Sequence, residues 1–68
     1  MQTRIKSRAE QEVEQRTGRD DIPAYLRELY VGRRWSDDEI ARTFGVSRVT
    51  VWNWRTAWGI RMEQRYET

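Results

Sequence analysis

Asp37-Asp38-Glu39-Ile40-Ala41-Arg42-Thr43-Phe44-Gly45-Val46-Ser47-Arg48-Val49-Thr50-Val51-Trp52-Asn53-Trp54-Arg55-Thr56 is the stretch whose reading decides the fold. Ser36 precedes it and Glu39 follows three residues later, the spacing at which a serine hydroxyl and a glutamate carboxylate each bond the other's backbone N–H and start a helix. Acids at that end also suit the helix dipole, so Asp37, Asp38 and Glu39 are assigned a structural task rather than a catalytic or metal-binding one. Ile40, Ala41 and Phe44 supply one apolar face. Gly45 then ends the helix at a position that needs a positive φ. Val46 bridges the turn, Ser47 caps a second helix, and Val51, Trp54 and Trp58 follow at steps of three and four up to Gly59. Two short helices joined by a three-residue turn are predicted.

Working outward, Trp35 sits just before the Ser36 cap, where it packs on Ile40 as a hydrophobic staple. Upstream, Asp20 or Asp21 caps a helix with Pro23 in its first turn, and Ile22, Leu26, Leu29 and Tyr30, flanked by Tyr25 and Val31, form a core-facing stripe. Gly18, Gly32, Gly45 and Gly59 recur at spacings of 14, 13 and 14, and each is read as a left-handed helix stop. The run from Ser7 to Thr17 is weakly amphipathic through Ile5, Ala9 and Val13; a helix with a small core contribution is expected, docked loosely or used between subunits. Past Gly59, Ile60, Met62 and Tyr66 alternate with Arg61, Glu63, Arg65 and Glu67. This tail is read as irregular, with Ile60 under Trp58, or as a short strand.

Composition narrows the chemistry. The chain has 68 residues, 13 basic and 11 acidic, with neither cysteine nor histidine. One small domain fits that length. A disulfide framework, a thiol nucleophile, a zinc finger and a Ser-His-Asp relay are all excluded. The longest apolar stretches are triplets such as Ala24-Tyr25-Leu26, against the roughly 20 residues of a membrane span. The start Met1-Gln2-Thr3-Arg4 lacks the apolar region of a signal peptide. The expectation is a cytoplasmic protein that is not an enzyme, needs no cofactor, and takes neither a membrane nor a small-molecule substrate. Eight aromatics, four of them Trp, offer enough burial for a helical core. The net charge of +2 is unevenly laid out. Residues 1–31 carry six bases and six acids, whereas residues 40–62 carry no acid and four arginines, Arg42, Arg48, Arg55 and Arg61. A one-signed stretch of this kind suits a polyanion.

The stretch from Asp37 to Thr56 resembles the 20-residue helix-turn-helix signature of phage repressors, transposases and site-specific recombinases. That pattern wants apolar residues at its fourth, eighth, tenth, fifteenth and eighteenth places, a small residue at the fifth and Gly at the ninth. Ile40, Phe44, Val46, Val51, Trp54, Ala41 and Gly45 meet it at all seven. The turn Gly-Val-Ser followed by Arg also resembles invertase and transposase DNA-binding domains. The predicted fold is all-α: three to four short helices with a central helix-turn-helix. Residues 1–18 form an N-terminal helix, accessory or dimerising, 19–60 the DNA-binding domain, and 61–68 the tail.

The resemblance implies that the second helix of the motif reads the major groove of double-stranded DNA. Matching positions are Ser47, Arg48, Val49, Trp52, Asn53 and Thr56. A helical projection agrees, since Trp52 lies about 200° from Trp54. Arg48 is assigned to guanine and Asn53 to adenine. Val49 and Trp52 depart from the polar residues usual in the family; they meet thymine methyls, are covered by the N-terminal run, or form a protein interface. Thr56 completes the base-reading set. Ser47, Arg42, Arg55, Arg33 and Arg34 are assigned to phosphates, Ser47 doubling as the helix cap. Trp54 and Trp58 are assigned to the core. The function expected is that of a small sequence-specific regulator of a phage or mobile element, binding as a homodimer through the N-terminal helix or the tail. The alternatives are a recruitment subunit of a recombination, transposition or packaging complex, and a protein-binding adaptor.

Overall fold

In the computed structural model, which describes residues 5–61, the chain forms α1 (Arg8–Thr17), α2 (Ile22–Arg27), a π-helical turn (Glu28–Gly32), α3 (Asp37–Phe44) and α4 (Arg48–Trp58). The architecture is all-α, as the patterning predicts, and no strand occurs among the described residues. Ile60 is fully buried under the end of α4; the rest of the tail, where a strand was one reading, lies outside the described residues apart from Arg61.

Each start follows from a side chain that accepts an orphan backbone N–H. Ser7, Asp21, Ser36 and Ser47 accept from Glu10, Ala24, Glu39 and Thr50 respectively. At Ser36 the capping box is complete, because the Ser36 N–H also donates to Glu39 Oε1 at 3.0 Å. Three of the four glycines end helices with φ between +68° and +76°, namely Gly18, Gly45 and Gly59.

Gly32 does not, and the difference is physical. Leu29, Tyr30 and Val31 are consecutive, and an ordinary α-helix would fan them too widely for all three to face inward. The chain widens into a π turn, closed by Arg33 N–H donating to Glu28 O at 2.9 Å, and Leu29 is buried with Tyr30 and Val31 packed beside it. Reversal is deferred to Arg34, which takes the positive φ of +60° that Gly32 was expected to supply.

One core joins all four helices: Val13 of α1, Ile22 and Leu26 of α2, Leu29, then Ile40, Ala41 and Phe44 of α3, Val51 of α4, and Ile60. The N-terminal helix is therefore not docked loosely. Val13 is 1% exposed, while Ile5, expected on the same stripe, is 93% exposed. The stripe fails at Ile5 because α1 begins only at Arg8, so the residue precedes the helix whose face it was to extend.

Candidate nucleic-acid interface

The geometry of the interface begins with Gly45. Its N–H and that of Val46 both donate to Ala41 O, at 2.8 and 3.1 Å, turning the chain from α3 into α4 within three residues. Ala41 is 6% exposed at the crossing of the helices, and Phe44 and Val51 are buried beneath it. Trp54 stacks on Trp58 with centroids 5.4 Å apart and meets Phe44 at 6.4 Å. Both tryptophans pack against the core while remaining partly exposed, so they form its wall rather than its centre.

With that face of α4 turned inward, Arg48, Val49, Trp52, Asn53 and Thr56 share the outward face, at steps of one, three, one and three along the helix. All five are exposed, Val49 at 64% and Trp52 at 52%. The N-terminal run therefore does not cover Val49 and Trp52 within the described residues. Ser47 is exposed too, its hydroxyl 3.0 Å from Thr50 Oγ1 while it caps α4. Arg42, Arg33 and Arg34 are exposed. Arg33 lies 3.7 Å from Glu28, and Arg48 lies 3.8 Å from Asp38.

Arg55, expected to clamp a phosphate, is instead engaged inside the protein. Its Nε and one terminal nitrogen donate to the two carboxylate oxygens of Asp37 at 2.9 and 2.8 Å, and its guanidinium lies 4.2 Å from the centre of the Tyr30 ring. Both side chains of the pair are less than one-fifth exposed. The hydrogen bonding that Arg55 donates to Asp37 raises the Arg55 pKa above its ordinary value, with burial opposing and electrostatic attraction to Asp37 and Tyr30 adding to the rise. The pair ties the start of α3 to the middle of α4. No local pattern links residues 18 apart, which is why sequence reasoning missed it. Asp38 beside Arg48 was missed for the same reason.

A family model described as a homeodomain-like domain matches residues 26–64, more than half of the chain. The chain belongs to this homeodomain-like helix-turn-helix family. No curated protein and no solved structure matches it significantly. Membership in a homeodomain-like family points to DNA as the partner, and the match spans the end of α2, the turn and both motif helices. The whole of α1 precedes the matched residues. No helix among the described residues is long and apolar enough to cross a membrane.

Proposed function

We propose that this homeodomain-like protein binds double-stranded DNA sequence-specifically and acts by occupying its site, without chemistry of its own, as a small transcriptional regulator of a phage or mobile element. The observation that carries the reading is the division of α4: its inner face is locked in the core and against Asp37, and its outer face offers a contiguous set of base-reading side chains. Arg48 makes a forked contact to guanine and Asn53 to adenine, with Val49 and Trp52 on thymine methyls and Thr56 at the far end. Ser47, Arg42, Arg33 and Arg34 hold phosphates. Arg55 fixes the angle of α4 instead of touching DNA.

A single reading helix covers one segment of major groove, so specific occupancy calls for a homodimer on a palindrome with half-sites about one helical turn apart. Selection of bound duplexes from a random pool tests this directly. Enrichment of a palindrome supports the dimeric regulator, a single half-site leaves a monomeric reader, and no enrichment overturns sequence specificity. A loss of affinity with salt must accompany binding. The exposure of Val49 and Trp52 favours one second reading, a protein-binding adaptor anchored on that patch. In that case binding to duplex DNA is absent and Trp52→Ala abolishes capture of the protein partner.

A further inference from the structure

Arg16 differs from five other arginines of this chain in what it touches. Arg8, Arg19, Arg33, Arg48 and Arg55 each lie within 4 Å of a carboxylate. Arg16 is exposed, and among the described residues no carboxylate pairs with it. Instead it reaches from the last turn of α1 to the turn between α3 and α4. Its Nε donates to Thr43 O at 3.4 Å, and the guanidinium lies over Gly45 so closely that a Cβ there would come within 2.9 Å of Nε and 3.0 Å of Cζ. That bond engages Nε and leaves the two terminal NH2 groups, which carry most of a guanidinium's donors, with no acceptor among the described residues.

The position is held, not incidental. α1 is anchored through Val13, 1% exposed, one helical turn from Arg16. Arg42, adjoining Thr43, is likewise exposed and without a carboxylate partner among the described residues; the one acid lining the hollow beside it, Glu39, has its carboxylate engaged by the Ser36 N–H, and residues 40–62 contain no acid. The turn under Arg16 runs straight into Ser47 and Arg48, the start of the reading helix. A phosphate ridge flanks any helix seated in the major groove.

We propose that Arg16 is a DNA-backbone contact which α1 adds to the homeodomain-like module, gripping one phosphate beside the turn while Arg42 holds a neighbouring one. The proposal rests on the DNA-binding reading above. It extends the footprint beyond residues 26–64 and gives α1 a functional as well as a structural part.

The test uses the full chain and a labelled random-sequence duplex of about two helical turns, titrated by fluorescence anisotropy over a series of salt concentrations. Each phosphate contact contributes about 0.9 to the slope of log affinity against log salt. Arg16→Gln is expected to reduce the slope by about that amount and to weaken binding several-fold, with Arg16→Lys keeping most of the slope because it keeps the charge. Arg16→Gln matching the wild-type slope overturns the proposal. Modification of wild-type protein by phenylglyoxal, mapped by mass spectrometry, gives an answer independent of any variant's folding. Protection of Arg16 by the duplex supports the contact, and equal modification with and without duplex overturns it. Failure of the parent reading looks different: wild-type protein then shows no salt-dependent binding, and Arg48→Ala changes nothing.

Discussion

Arg48 and Arg55 lie two turns apart on the same helix, and each meets an acid from the first turn of α3, yet the two encounters differ in kind. Arg55 donates two hydrogen bonds to Asp37 at 2.8 and 2.9 Å, with side chains 14% and 18% exposed and Tyr30 beneath. Arg48 and Asp38 approach no closer than 3.8 Å, with side chains 66% and 56% exposed. Exposed pairs of that geometry contribute about 0–1 kcal/mol and exchange readily for another anion. A forked, largely desolvated pair is both stronger and costly to break from one side. Residue type alone therefore does not say which arginine is structural and which is available to DNA; access to water and the number of donors engaged do.

The comparison breaks first at its strong end. Asp37→Ala leaves the Arg55 guanidinium without its acceptors and is expected to cost about 2 kcal/mol, read as a drop in Tm of roughly 10 °C for a domain this small. A change below about 0.5 kcal/mol would place Arg55 with Arg48. At the weak end, Arg48→Ala is expected to leave the melt within about 0.5 kcal/mol while removing about 1–3 kcal/mol of discrimination at one base pair, measured by competition between matched and mutated duplexes.

Double-mutant cycles then compare the pairs themselves. Coupling of Asp37 with Arg55 should exceed about 1 kcal/mol, and coupling of Asp38 with Arg48 should fall near zero in physiological salt. The pH dependence has a definite sign. Because Arg55 is raised in the folded protein, its contribution is present at every ordinary pH and is lost only as strongly alkaline solution deprotonates it. Alkaline melts should therefore show no Arg55-dependent loss between neutral pH and about 10, with Arg55→Met as the reference.

The smallest effect concerns the segment that feeds α3. Arg34→Gly relieves a positive φ at a non-glycine residue and is expected to stabilise the fold by about 0.5–1 kcal/mol. If Arg34 also holds a phosphate, the same variant binds duplex DNA more weakly while melting higher, a pairing of opposite signs that no purely structural role produces.

Much of this is legible in the sequence itself. The capping box at Ser36 and Glu39, the stops at Gly45 and Gly59 and the inward set Ile40, Ala41, Phe44 and Val51 are local patterns with one physical solution, and each is met in the structure. The exposed face of α4 followed from the same periodicity. The failures share a cause. Gly32 yielded its expected role to Arg34 because three consecutive apolar residues had to reach one core, which is a property of what they pack against.

Local order along the chain thus determined the helices, their caps and the two faces of α4, since those depend on neighbours within four residues and on the alternation of apolar and polar side chains. Only the tertiary structure decided which charges remain available. The acid-free segment from 40 to 62 offered Arg48 for a base and Arg42 and Arg55 for phosphates, but folding carried Arg55 onto Asp37 and Tyr30 and brought Arg16, 27 residues before Thr43, over the turn. Charge is a property of a residue, whereas its availability to a ligand depends on partners and solvent that packing alone assigns.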